Sequence, residues 1–147
     1  AIVVAPTREL ALQISESLSP FARAMGVSIA TIYGGVSMEQ QVSALRSGVH
    51  IVVGTPGRIN DHLRRGTMQL AQIKTLVLDE ADIMLDMGFK EEVDAILESA
   101  NKNREIWLFS ATVKSGISRL MKQHMTDPVS VRVSTNNVGT SNTKQYY

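Results

Sequence analysis

KTLVLDEADIMLD, Lys74 to Asp86, runs a short apolar stretch straight into a cluster of carboxylates. Leu76, Val77 and Leu78 are apolar at consecutive positions, which suits a strand covered on both faces, as parallel strands are. Asp79, Glu80 and Asp82 follow at once. Acidic groups crowded at the end of a buried strand repel one another unless a cation or a partner compensates. The stretch therefore reads as one strand of an α/β sheet with a charged site at its carboxyl end, where ligands of such sheets collect.

Working outward, the same unit recurs. Apolar, β-branched runs predict strands near 2–5, 28–33, 50–54, 75–78, 105–109 and 129–133. Helical patterns lie between them, over 9–25, 37–47, 59–65, 89–100 and 115–124. Pro20 falls inside the first helix and should kink or divide it. Ser37 with Gln40 forms a capping box for the second, and Gly26, Gly48 and Gly66 stand where helices should end. This alternation predicts an α/β fold with a mainly parallel sheet flanked by helices. The segment 134–147, STNNVGTSNTKQYY, is rich in Ser, Thr and Asn and reads as a linker or tail. There is no internal repeat.

Bulk properties bound the function. A chain of 147 residues is large enough for one domain with a real core. A formal charge of +1 gives no global basic signature, so any nucleic-acid contact must come from a local patch. The absence of cysteine excludes disulfides, thiolate catalysis and cysteine zinc sites, and fits a reducing compartment, so a cytoplasmic location is expected. No apolar run approaches the roughly 18 residues of a membrane span. The opening AIVVA is too short for a signal-peptide core and carries no initiator Met, so the chain is expected to start inside a longer protein.

The chemistry lies at the predicted strand ends. An Asp at such an end can hold Mg²⁺, usually through water, and the ion favours hard oxygen ligands. A neighbouring Glu can then orient or deprotonate a water that attacks phosphorus. Taken alone, Asp79-Glu80 equally suits an acidic helix start. APTREL (5–10) follows the first strand and places Thr7 and Arg8 at a helix start; GTPGR (54–58) does the same with Thr55 and Arg58 after the third. Each turn offers a hydroxyl, backbone N–H groups and a guanidinium, which together suit a phosphate. Gly34-Gly35 after the second strand permits close backbone approach. Ser110-Ala111-Thr112 ends the fifth, where two hydroxyls can bond a carboxylate such as Asp82 or simply cap the next helix. His50, His62 and His124 lack metal-ligand spacing and are expected in structural or surface roles. Trp107 is expected in the core.

PTRELA, GG, TPGR, DEAD and SAT, in this order and at these intervals, resemble the first RecA-like domain of DEAD-box RNA helicases. The resemblance runs from Ala1 to about Val133, and MLDMGF (84–89) strengthens it. It implies a RecA-like fold of the P-loop NTPase type, with residues 1–133 as a partial first helicase domain and 134–147 leading to a second. It implies ATP and Mg²⁺ as cofactors, with Asp79 holding the ion through water and Glu80 activating the attacking water. Asp82, Ser110 and Thr112 would link nucleotide state to closure of two domains on RNA. Pro6, Thr7, Arg8, Gly34, Gly35, Thr55, Pro56, Gly57 and Arg58 would bind the RNA backbone. The partners implied are RNA and the second RecA-like domain of the same parent chain.

One departure is plain. The loop Gly-x-x-x-x-Gly-Lys-Ser/Thr, whose N–H groups and Lys cradle phosphates, does not occur in the sequence, nor does the strand that precedes it in the family. The chain alone is therefore expected neither to bind nor to hydrolyse ATP, and an unpaired apolar sheet edge beside the SAT strand is expected to favour self-association. An ATPase-incompetent RNA-binding module is the alternative. Aromatics make up 5% of the chain and none stands in the phosphate-facing motifs, so stacking on bases and sequence readout should be weak. Neutralising about three phosphates would give a salt slope of roughly −2.

Overall fold

In the computed structural model, which describes residues 1–133, strands and helices alternate along the whole chain. β1 (Ile2–Val4) leads to α1 (Arg8–Met25), β2 (Ile29–Ile32) to α2 (Met38–Arg46), and β3 (Ile51–Gly54) to α3 (Pro56–Arg64). β4 (Thr75–Leu78) is followed by α4 (Ala81–Asp86) and α5 (Lys90–Ser99), and β5 (Glu105–Leu108) by α6 (Ser115–His124). The five strands form one sheet in the order β2-β3-β1-β4-β5, and every neighbouring pair is parallel. The expected α/β class is therefore present, with no antiparallel strand among the described residues.

The sheet is covered unequally. Ile2, Val4, Ile32, Leu76 and Leu78 point to one face and form the main core with Ile59, Met84, Val93, Ile96, Leu97, Ile117 and Leu120 from the helices. On the other face a smaller cluster of Ala5, Ala11 and Val53 is completed by Val3, Ile14, Leu18 and Ile51. There α1 packs over β2 and β3. Such alternation is the period-2 pattern of a strand with two buried faces. α6 is fastened to α5 by His124 Nε2 and Asp94 Oδ1 at 3.0 Å, with Lys90 also on Asp94 at 2.7 Å.

Four expectations need correction. The strand near 129–133 does not form: Val129, Val131 and Val133 are 92%, 88% and 89% exposed. Their alternating pattern is right for a strand, but β-propensity needs a neighbouring ladder to become structure. Pro20 does not divide α1. It lies on the exposed side, where water can take up the carbonyl that its missing N–H leaves unpaired. Ser37 makes no side-chain cap bond, so the capping box is absent; α2 is anchored instead by Gln41, whose amide reaches back to the Tyr33 carbonyl oxygen at 2.9 Å.

Trp107 is not in the core but 54% exposed. It pairs with Val77 on the sheet face that α1 covers mainly over β2 and β3. The expected linker, 134–147, lies outside the described residues.

Candidate functional site

The parallel register brings the strand ends into one row. Ile32 pairs with Gly54, Gly54 with Val4, Val4 with Leu78, and Leu78 with Leu108. The turns that follow therefore stand side by side in an order the chain does not have: the Gly-Gly loop after β2, TPGR after β3, PTREL after β1, DEAD after β4 and SAT after β5. Backbone bonds continue the ladder into each turn, from Thr55 N–H to Ile32 O, Ala5 N–H to Gly54 O, Asp79 N–H to Val4 O and Phe109 N–H to Leu78 O, each 2.9 Å. Three turns suited to phosphate thus lie together, spanning about 10 Å at ordinary strand spacing, with the acidic and hydroxyl-bearing turns beside them.

In the acidic turn the carboxylates part company. Asp82 is 5% exposed. Its Oδ2 accepts the Thr112 backbone N–H at 2.9 Å and the Thr112 hydroxyl at 2.8 Å, and its Oδ1 accepts the Ile83 N–H at 3.1 Å. Burial alone would raise its pKa, but these bonds, chiefly from Thr112, favour the anion and hold it below the ordinary carboxylate value. The Thr112 hydroxyl bonds Asp82 directly, while the Ser110 hydroxyl donates to the Thr112 carbonyl oxygen at 2.7 Å, closing the turn close enough to Asp82 to help lower its pKa.

Asp79 and Glu80 face outward. Asp79 Oδ1 accepts the Glu80 N–H at 3.0 Å. Glu80 itself holds a left-handed backbone, φ 49° and ψ 49°, which swings the chain from β4 into α4. The Ala81 N–H ties this bend to the Phe109 carbonyl oxygen at 3.0 Å. No group of three or more His, Cys, Asp or Glu side chains among the described residues is arranged to hold a metal ion directly. Asp79 nonetheless fits an ion that keeps most of its waters, as Mg²⁺ does, because its hard oxygens stand half-exposed at the strand end.

The three turns that carry Thr7, Gly34-Gly35 and Thr55 differ in detail. The Thr7 hydroxyl caps α1 by accepting the Leu10 N–H at 3.2 Å, whereas Thr55 makes no such bond and its hydroxyl is uncommitted. Arg8 is exposed and stacks over the Tyr33 ring at 4.9 Å. Gly34 and Gly35 are exposed, and Gly35 has φ +81°, which favours glycine. Pro6 and Pro56 are buried, so they shape the turns and present no ring surface to a ligand. Arg58 donates from Nη1 to the Val36 carbonyl oxygen at 3.1 Å and to Gln41 Oε1 at 3.0 Å.

Sequence reasoning passed over Gln41, Tyr33 and Gly54. Gln41 sits within a helical pattern and nothing in its type marks it. Its burial on the side facing Arg58 appears only in three dimensions. Gly54 reads from sequence as the last residue of the third strand and the first of GTPGR, with nothing to mark it as more; a Cβ there would stand 2.3 Å from the Ile32 carbonyl oxygen, so it is a packing requirement of the sheet. His62 is fully buried, with Nε2 3.0 Å from Gln41 Oε1 and Nδ1 2.8 Å from the Thr67 hydroxyl. Desolvation first, and then the Arg58 charge, lower its pKa and keep it neutral.

Comparison with known proteins gives the family and the fold. The family model for the DEAD/DEAH box helicase matches residues 1–120. A DEAD-box ATP-dependent RNA helicase, CshA of Streptococcus pneumoniae serotype 4, is 48% identical over all 147 residues, which make up 28% of its length. CshA of Geobacillus kaustophilus is 47% identical over the whole chain, covering 32% of its own. The chain thus spans less than a third of the length of these relatives. Among solved structures, a DEAD box protein from the hyperthermophile Methanococcus jannaschii superposes with a TM-score of 0.83 at 47% identity, over 86% of this chain and 34% of that one. The yeast DEAD-box splicing factor Prp28 gives 0.81 at 34% identity, over 85% and 30%.

Proposed function

The chain belongs to the DEAD/DEAH box helicase family, and from that premise we propose that it serves as part of an ATP-dependent RNA helicase, coupling ATP binding and hydrolysis to local unwinding of RNA duplexes. The observation that carries this reading is the row of strand ends. It sets the Gly-Gly, TPGR and PTREL turns together on one side and the DEAD and SAT turns on the other. In this reading the first three hold an RNA backbone through Thr7, Arg8, Gly34, Gly35, Thr55, Gly57 and Arg58, and the last two work on a nucleotide.

Asp79 would hold a Mg²⁺ ion through water, and that ion would neutralise charge on the phosphate oxygens. Glu80, exposed beside it, would orient and deprotonate the attacking water, a contribution of roughly 10²–10⁴-fold. Asp82, locked to Thr112, would carry the nucleotide state to the SAT turn and so to a second RecA-like domain of the same protein. The alternative is an RNA-binding module without ATPase activity, drawn from the turns suited to phosphate alone. Partners under this reading are RNA, the second domain, and a second copy of this chain against β5.

The test compares ATP turnover and unwinding by the full-length protein with those of Glu80→Gln. Loss of turnover by roughly 10²-fold or more, with RNA binding kept, is expected. Unwinding of RNA duplexes in preference to DNA duplexes of equal length is expected as well. Undiminished turnover in Glu80→Gln would refute the assignment of Glu80, and turnover by the 147-residue chain alone, abolished by the same change, would refute its dependence on an external phosphate loop.

A further inference from the structure

Two of the three turns suited to phosphate, the Gly-Gly loop and TPGR, are tied to one side chain that lies in neither of them. Gln41, on α2, is 6% exposed. Its Nε2 donates to the Tyr33 carbonyl oxygen at 2.9 Å, at the start of the Gly-Gly loop. Its Oε1 accepts from Arg58 Nη1 at 3.0 Å and faces His62 Nε2 at 3.0 Å, both on α3. Arg58 has only donors, so the amide orientation is fixed by chemistry, and His62 must carry its proton on Nε2. Nδ1 is then the acceptor for the Thr67 hydroxyl at 2.8 Å.

This arrangement leaves Arg58 half committed. Nη1 is turned inward to Gln41 and to the Val36 carbonyl oxygen at 3.1 Å. Nη2 and Nε have no protein partner among the described residues and are not buried, so they remain for an anion. Tyr33, whose carbonyl Gln41 holds, carries Arg8 on its ring at 4.9 Å. One buried carboxamide therefore bonds both the start of the Gly-Gly loop and the TPGR arginine, beside the Tyr33 ring that carries the PTREL arginine.

We propose that Gln41 is a positioning residue for RNA binding: with His62 behind it, it holds Arg58 and the Gly-Gly loop in their binding geometry before RNA arrives. The proposal rests on the reading of Arg58 as an RNA-backbone contact. Preorganisation of this kind spares the ordering of a long cation at the moment of binding.

The full-length protein is titrated with a fluorescein-labelled single-stranded oligouridylate and a non-hydrolysable ATP analogue over a series of salt concentrations. Gln41→Leu, Arg58→Ala and the double variant are compared with the wild type. Each single variant is expected to weaken binding about tenfold and to make the salt slope shallower by about 0.7, one phosphate contact. The double variant should bind within about twofold of Arg58→Ala, because the two changes remove one interaction. A merely structural role for Gln41 would lower the unfolding midpoint and leave the slope alone.

Wild-type affinity in Gln41→Leu, or losses that multiply in the double variant, would overturn the proposal while leaving Arg58 an RNA contact. Undiminished binding in Arg58→Ala would bring down the RNA reading of Arg58 and the role of Gln41 with it. Should Gln41→Leu fail to fold, the side-chain ¹⁵N spectrum of the RNA-free wild type decides. Separate Arg58 Nη resonances, from hindered rotation, are expected, and one averaged signal overturns the proposal.

Discussion

Thr112 is the residue on which the fate of Asp82 turns. A carboxylate 5% exposed would ordinarily gain a proton, and here two bonds from Thr112 and one from Ile83 keep it ionised. The linkage has a definite sign. Because the folded pKa is depressed, the bonds add stability above the unfolded carboxyl value of about 3.9, and that stability is lost as pH falls through the lower folded value. Thr112→Val keeps the shape and the backbone N–H but loses the hydroxyl. It is expected to cost about 1.5–3 kcal/mol at neutral pH, the range for a hydrogen bond to a charged group. The deficit should shrink as the pH falls below about 4. Urea unfolding of both forms across that range measures it, and a deficit that is flat with pH would show that Asp82 is not the group involved. Glu80 makes a different point at the same scale. A non-glycine residue at φ 49° carries strain of about 1–2 kcal/mol, and it stands where the chain must turn sharply to expose a carboxylate. Neither feature is legible in the letters DEAD, which show acidity but not which acid is buried, bonded or strained.

At the scale of elements, Gly54 governs the junction of β2 and β3. Any Cβ there would meet the Ile32 carbonyl oxygen at 2.3 Å and Ile32 Cβ at 3.1 Å, and the first of these is backbone that cannot rotate away. Gly54→Ala must push β2 from β3 just where the Gly-Gly loop and TPGR begin. An overpacking cost of about 1–3 kcal/mol is expected, seen as a lower urea midpoint. An unchanged midpoint would mean the strands part at no cost. The elements themselves were legible where local pattern and tertiary setting agree. Thr75–Leu78 and Ser115–His124 have the bounds their patterns predict, and Gly26 at φ 65° ends α1 as a left-handed cap should. α3 begins at Pro56 rather than at 59, because Pro suits the first helical turn and Thr55 leads into it. Where the outcome depends on a distant partner, the pattern misleads: Ser37 lacks its cap bond while Gln41 ties the loop, and the valines of 129–133 find no ladder among the described residues. α4 was missed because its first turn is also the charged motif, and chemistry masked the helix.

At the scale of the whole molecule, unequal coverage of the sheet decides how the chain meets its surroundings. One face carries the main core under α3 to α6; the other is covered by α1 over β2 and β3. Ile106 and Leu108 pack into the first, while Trp107 and Phe109 look out from the second at 54% and 50% exposure. Among the described residues β5 is hydrogen-bonded on one side only, to β4. Its outer edge therefore presents unpaired N–H and C=O groups next to exposed aromatics, the combination that recruits another strand. The 147-residue chain is accordingly expected to self-associate in a concentration-dependent way in sedimentation velocity. Because Trp107 is the sole tryptophan, its emission should start red, as for a solvated indole, and move blue as association proceeds. Trp107→Lys puts a charge on the edge strand, the usual natural defence. It should hold the chain monomeric at concentrations where the wild type associates, with little effect on the urea midpoint, since the exposed indole supports little of the core. A wild-type chain that stays monomeric at high concentration, with emission independent of dilution, would locate the sheet's weak edge elsewhere.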